Sequence, residues 1–441
     1  MRDLLSSILS STPASERTRQ ALNLSYNNLP RYLKTCLMYV TTMYPEGSII
    51  FKNDLVKQWV AEGFIARREG ESLENVAGIH FDELVDRRFI QPIHHRYNGE
   101  VASCRVHDVV RDLVAHKSAQ ENFTVVVDYD RDDIPLCHKA RRLSLQLGDA
   151  KYAKTPSNIR KSQVRSLGVL FGLLECMPCV GEFKLLRLLN IQISGRGRGR
   201  GRRRGGNNPA VDLTGIAELF HLRYLKIASD ASIQLPDRMR GLQCLGTLDT
   251  TRVTAVPWDI IHLLHLLHLS VPLDTNLLDW IGSMSSSDTV ISLWSLGKLH
   301  SLQDLHLTPS PSSSSSLPSS SDHLERSMEA LGSLLGGHGS LKTLVVAHRD
   351  DRNASGAAVI ICWDGLAPPP LLQRFEFSRR SGYMFARIPT WMGQLGNLCI
   401  LKIAVRGLLR HGVDILRGLP ALTALSLYVQ STPVDWVVFG P

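Results

Sequence analysis

The chain has 441 residues, 44% of them hydrophobic and 21% charged, the composition of a folded protein and not of a disordered or fibrous one. No apolar run approaches the roughly 20 residues that cross a bilayer, and the stretch after Met1 lacks the sustained apolar core of a secretory signal. Net charge is +9, but Arg196, Arg198, Arg200, Arg202, Arg203 and Arg204 supply six of those charges; the basicity belongs to one short segment, which argues against a broad nucleic-acid face.

Residues 1–14 read as a residual N-terminal segment. From Ser15 to Asn28, Ala21, Leu22, Leu24 and Leu29 have helical spacing, and Pro30 ends or restarts the helix. Tyr32 to Met43 reads as a second helix with Leu33, Leu37 and Val40 on one face. After the Pro45-Glu46-Gly47 turn, Asn53 is placed to cap a third helix running to Glu62, with Gly63 at its C′ position. Ser72 is placed to cap a fourth helix. The period then becomes extended: Phe89 to Ile93 and Val101 to Val106 flank Asn98-Gly99, the sign of a two-stranded hairpin with a type I′ turn. Asp108 is placed to cap a further helix to Lys117. Helices followed by a hairpin make a winged-helix module over residues 15–118, with a linker over 119–139.

A different beat follows. Ile216, Leu219, Leu222 and Leu225 fall every third residue, as do Met239, Leu242, Leu245 and Leu248, and Ile260, Leu263, Leu266 and Leu269. An L-x-x-L-x-L core at a period of 20 to 29 marks leucine-rich repeats, each a short strand plus a return segment. One strand-centre residue per repeat can be followed through Leu143, Leu167, Leu189, Leu225, Leu248, Leu269, Leu305, Leu344, Phe375, Leu401 and Leu425. Leu235-Pro236, Val256-Pro257 and Ile388-Pro389 recur at one phase, where Pro stops the strand. The array spans 140–430, with disordered insertions at 195–208 (an Arg-Gly run) and 309–322 (a Ser run), and a C-terminal tail at 431–441. The expected fold class is α/β: a mainly helical winged-helix domain followed by a leucine-rich-repeat solenoid, a horseshoe.

The leading domain carries an ordered set of motifs: Leu24-Ser25-Tyr26, Leu29-Pro30, Leu33-Lys34, Pro45-Glu46, Leu55-Val56, Trp59 to Ile65 (WVAEGFI), Phe81 to Pro92 (FDELVDRRFIQP) and Val106-His107-Asp108. Together they resemble the winged-helix part of plant nucleotide-binding leucine-rich-repeat (NLR) disease-resistance proteins, and the last resembles that family's Met-His-Asp motif. The resemblance implies a defence switch that holds ADP at rest and exchanges it on sensing a pathogen effector. It makes His107 and Asp108 nucleotide-contact candidates: an imidazole can donate to a phosphate oxygen, and Asp108 can fix the turn. No G-x-x-x-x-G-K-[ST] cradle exists here; Gly332…Gly337-His338 comes nearest, without the lysine. Hence no cofactor is expected in this chain, with ADP or ATP entering only if a separate nucleotide-binding domain is supplied. The compartment implied is cytoplasmic or nuclear.

The useful surface of such an array is the strand face between the core leucines. Its candidate ligand residues are Arg223, Tyr224, Lys226, Asp249, Asp304, His306, Arg374, Glu376 and Lys402, a mixed-charge set suited to a protein ligand: a pathogen effector, a guarded host protein or a full-length NLR. The Arg-Gly run reads as a solvated loop; the alternative it leaves open is a nucleic-acid-associated adaptor. The third helix offers only Lys57 against Asp54 and Glu62, which speaks against DNA reading. His262, His265 and His268 read as solvent-facing neighbours of the leucines and not as metal ligands. Eight scattered cysteines with one C-x-x-C (Cys176, Cys179) read as buried free thiols. No nucleophile elbow or acid–base pair is visible, so no enzyme is expected.

Overall fold

The computed structural model describes residues 13–96, 98–128, 140–146, 159–172, 179–193, 211–229, 233–250, 253, 256–273, 293–309, 321–347, 359–363, 365–377 and 383–430. The chain divides into two compact units, Met1–Pro178 with Glu182–Arg198, and Cys179–Gly181 with Gly199–Pro441. The expected insertion at 195–208 and tail at 431–441 lie outside the described residues, as does 310–320. Of the second insertion, Pro309 ends a strand, and Ser321 and Asp322 open a helix.

In the first unit the helices are α1 (Pro13–Asn27), α2 (Arg31–Met43), α3 (Lys52–Glu62), α4 (Leu73–Asp86) and α5 (Asp108–Gln120). Their ends obey local chemistry. Pro30 precedes α2 with extended backbone. Gly63 ends α3 at φ 81°, and the Phe64 N–H returns to the Trp59 carbonyl at 3.1 Å, a closing bond that the left-handed glycine makes possible. The Ser72 hydroxyl accepts from the Asn75 N–H at 3.1 Å. Asn53 is not a cap: α3 begins one residue earlier, directly out of a strand through Phe51, and the Asn53 amide oxygen accepts instead from Arg96 at 2.7 Å.

The wing has three strands where two were expected. Strands β1 (Ile50–Phe51), β2 (Ile90–His95) and β3 (Val101–Val106) form an antiparallel sheet in the order β1-β3-β2. The β-branched run before α3 supplies the extra edge. The turn also differs. Gly99 has φ 83°, but the only described non-glycine residues with positive φ are Arg88 and Asn122, so Asn98 is not left-handed. The Arg96 N–H donates to the Glu100 carbonyl and the Gly99 N–H to Arg96. That is a three-residue loop closed by one left-handed glycine, not a type I′ turn.

Four parallel strands complete this unit: β4 (Val125–Asp128), β5 (Arg142–Gln146), β6 (Ser166–Gly172) and β7 (Leu188–Ile193). Val125, Leu143, Leu167 and Leu189 lie side by side in register. Strand β4 falls inside the stretch expected as linker; its Val125-Val126-Val127 run has the β-branched content of a strand.

The second unit contains β8 (Val211–Asp212), β9 (Tyr224–Ser229), β10 (Ile233–Gln234), β11 (Thr247–Asp249), β12 (His268–Leu273), β13 (Asp304–Pro309), helix α6 (Ser321–Gly337), β14 (Thr343–Val346), β15 (Val359–Ile361), β16 (Arg374–Phe377), β17 (Tyr383–Phe385), β18 (Ile400–Val405), helix α7 (Arg410–Arg417) and β19 (Ala424–Val429). The strands from β9 onward, β10 excepted, form one parallel sheet, and β10 pairs with β8 apart from it. Leu225, Leu248, Leu269, Leu305, Leu344, Phe375, Leu401 and Leu425 stand in one register across it.

The three-residue spacing now has a mechanical cause. Leu219 N–H donates to Ile216 and Leu222 to Leu219; Leu242 to Met239 and Leu245 to Leu242; Leu263 to Ile260 and Leu266 to Leu263. Bonds from i+3 to i give three residues per turn, so side chains three apart eclipse and all face inward. Every residue of these three sets is 1% exposed or less. Asp259, buried in one return segment, accepts from the N–H groups of Met239 and Arg240 in the preceding one at 2.9–3.0 Å, satisfying donors that a lone repeat would leave bare. Toward the C-terminal end the core turns aromatic around Trp363, Phe375, Phe377, Phe385 and Trp391. Gly332 serves packing there: a Cβ on it would come within 3.0 Å of the Trp363 ring nitrogen, which donates to the Met328 carbonyl.

Candidate functional site

The first site candidate lies where β3 gives way to α5. His107, not Asp108, is the N-cap, with φ −71° and ψ 145°; its Nδ1 accepts from the Val109 N–H at 3.3 Å. Asp108 is the first helical residue, where its charge favours the positive end of the helix. An accepting Nδ1 in a neutral ring puts the proton on Nε2, which makes Nε2–H a donor. A cavity of about 410 Å³ opens beside it, lined by Glu46, Gly47, Arg105, His107 and Asp108. Arg105 and His107 supply donors, and Glu46 and Asp108 supply carboxylates. The motif residues thus meet the Pro45-Glu46-Gly47 turn, a pairing that chain order alone does not show.

Two polar centres in this unit carry no sequence signal. Arg111, one turn into α5, donates to the carbonyls of Thr41, Tyr44 and Pro45. Burial pulls its pKa down, while Glu46, Asp108 and Asp112 push it back up. Second, the Glu62 carboxylate, 3% exposed, pairs with Arg142 of β5 at 3.0 Å and accepts from the Ser166 hydroxyl of β6. The Arg142 guanidinium lies over the rings of Phe64 and Phe123, 4.9 and 4.3 Å from their centroids, where ring faces attract a cation.

The second candidate is the strand face of the second unit. Register places Tyr224, Thr247, His268, Asp304, Thr343 and Arg374 in one row, and Lys226, Asp249, Ser270, His306, Val345, Glu376 and Lys402 in another. Arg223 precedes β9 and is exposed. Tyr224, expected at the surface, is only 1% exposed, because side chains on parallel strands about 4.8 Å apart cover one another within a row. The charges answer each other: Lys226 pairs with Asp249 at 3.0 Å, His268 with Asp304 at 2.8 Å, and Arg374 with Glu376 at 2.6 Å. His268 is therefore buried and paired, whereas His262 and His265 face solvent as expected.

Among the described residues no group of His, Cys, Asp or Glu is arranged to hold a metal ion, and no helix is long and apolar enough to cross a membrane. The thiols are not uniformly buried. Cys36 and Cys104 are, and burial pushes Cys104 up to about 12, but Cys179, Cys244 and Cys362 are exposed. Cys176 lies outside the described residues.

Comparison with known proteins agrees with both halves. A family model described as a leucine-rich repeat region matches residues 163–440, and one described as a disease resistance protein winged helix domain matches residues 43–114. Disease resistance protein RGA5 of Oryza sativa subsp. japonica is 41% identical over 452 residues, covering 99% of this chain and 38% of that protein. Disease resistance protein PIK6-NP of the same organism is 33% identical, covering 52% of this chain and 21% of that protein. A putative disease resistance RPP13-like protein 3 of Arabidopsis thaliana is 31% identical, covering 52% and 26%. The chain thus spans well under half the length of these relatives. With a leucine-rich-repeat match over more than half its length, joined to a disease-resistance winged helix, the chain belongs to the leucine-rich-repeat disease-resistance proteins of plants, the NLR type.

Proposed function

We propose that this chain is the sensing and coupling part of an NLR-type defence switch. Its repeat array binds a protein ligand: a pathogen effector, a guarded host protein, or a full-length NLR. Its winged helix meets a nucleotide-binding domain, and His107 donates to a phosphate of ADP held there, with Asp108 fixing the turn. The chain acts in the cytoplasm or nucleus. The observation that carries the reading is the shared register of the second unit. It lines up Lys226, Asp249, His306, Glu376 and Lys402 on one row, beside Asp304 and Arg374 on the next. Rows of polar side chains held on a rigid sheet form a preorganised surface for another protein. The role proposed is not enzymatic.

The test is proximity labelling in plant cells with the whole chain fused to a labelling enzyme. An Arg223→Glu/Lys402→Glu face variant is compared with wild type. Partners labelled by wild type and lost with the variant support the face as the contact surface. An unchanged profile in a variant that melts normally rejects it. For the cavity, a relative's nucleotide-binding domain is added in trans, and His107→Ala should speed ADP release; an unchanged release rate rejects the phosphate contact.

A further inference from the structure

The last turn of α2 is gripped from two directions. From α5, Arg111 Nη1 donates to the carbonyls of Thr41 at 2.6 Å and Tyr44 at 2.8 Å, and Nη2 to that of Pro45 at 3.3 Å. These are carbonyls at or just past a helix C-terminus, which have no partner within the helix and carry the negative end of its dipole. A guanidinium fork is suited to span several of them at once. From the repeat side, the buried Ser144 hydroxyl on β5 donates to the Met43 carbonyl at 3.2 Å. The Met43 methyl lies where a Cβ on Gly168 of β6 would come within 3.2 Å of it.

The same short segment continues into the cavity wall. Pro45, Glu46 and Gly47 form a turn, with the Ser48 N–H donating to the Pro45 carbonyl and Gly47 at φ 75°. Glu46 and Gly47 line the cavity together with His107. The repeat end of the segment is stiffly anchored, because β5 and β6 hold the buried Glu62 through Arg142 and Ser166. Those strands cannot slide over α3 without unpairing a buried carboxylate, which is costly.

We infer that Thr41–Gly47 is a relay between the first repeat strands and the His107 cavity, and that Arg111 is the residue that positions it. The functional sense of the relay rests on the phosphate contact proposed for His107. Arg111 holds the carbonyls whose movement shifts the cavity wall. The geometry gives the relay a contiguous physical route, β5/β6 to Met43 to Glu46 and Gly47, with Arg111 bridging back to the helix that His107 caps.

The experiment uses the whole chain with ring-labelled histidine, and the His107 signal is assigned by its loss in His107→Gln. Gly168→Ala presses a methyl against Met43 from the repeat side. Arg111→Lys keeps the charge and removes the fork. Each should move the His107 ring resonances, while Lys298→Ala, at an exposed return-segment position of the second unit, leaves them unchanged. Circular dichroism checks folding; if Gly168→Ala does not fold, Ser144→Ala, which removes one hydroxyl, replaces it. A His107 signal unmoved in the folded variants overturns the relay. Inorganic pyrophosphate is then titrated against the same resonance. A response to pyrophosphate with no effect of Gly168→Ala sinks the relay and leaves the phosphate contact standing; the reverse pattern keeps the relay and sinks the contact.

Discussion

Replacing Arg142 by methionine is the sharpest test of how the first repeats are held to the winged helix. The change keeps most of the apolar stem but removes the cation paired with Glu62, whose side chain is 3% exposed. The carboxylate then retains the Ser166 hydroxyl as a donor. Breaking a buried pair in this way costs about 3–5 kcal/mol. Losing the two ring contacts, 4.9 and 4.3 Å from Phe64 and Phe123, adds about 0.5–2 kcal/mol. Glu62→Gln should cost less, about 1–3 kcal/mol, because the amide still accepts from Ser166 and Arg142 is partly open to water. The double Glu62→Met/Arg142→Met variant should be more stable than Arg142→Met alone, since no buried charge is left bare. A chain of two units need not unfold in one step, so the readout is native-state hydrogen exchange at the amides of α3 and β5. A loss below about 1 kcal/mol for Arg142→Met, the size of an exposed ion pair, would refute the reasoning. So would a double variant less stable than the single one.

Three further outcomes follow from the same structure. Asp259→Ala leaves the Met239 and Arg240 N–H groups without their carboxylate and should lower the local opening energy of both return segments by about 1–3 kcal/mol; full protection of those amides would count against the contact. Leu225→Asp puts an unpaired charge at a position that is 0% exposed and should cost several kcal/mol, so a normal melting curve would mean the repeat register is wrong. Burial holds His338 below the ordinary histidine range. The unfolded chain therefore takes up that proton first as pH falls, and the contribution is intact above about pH 6.5 and lost below it. Exchange at β14 should quicken from pH 7 to pH 5 beyond its intrinsic change in wild type and not in His338→Gln, and equal behaviour of the two would sink the assignment.

What could be read in the residues divides by distance along the chain. The strand centres from Leu225 to Leu425 lie in the expected register because that signal is local: successive three-residue turns aim neighbouring side chains inward, and composition repeats wherever the geometry does. Gly63 and Ser72 were legible for the same reason, since a cap is settled within four residues. Local rules failed where two competed. Asn53 and Asp108 are good cap types, but strand β1 runs directly into α3, and His107 already offers a ring nitrogen to the Val109 N–H. The face residues were half legible: register chose the row, yet Tyr224 and His268 are buried because neighbours on adjacent strands cover them. Arg111, Glu62 and Arg142 were not legible at all. Arg111 binds main-chain carbonyls, which every residue type presents alike, and Glu62 meets its partner 80 residues later. A buried charge is tolerated only where the fold supplies its partners. The residues that join the winged helix to the repeats are therefore those whose roles exist only once both have folded.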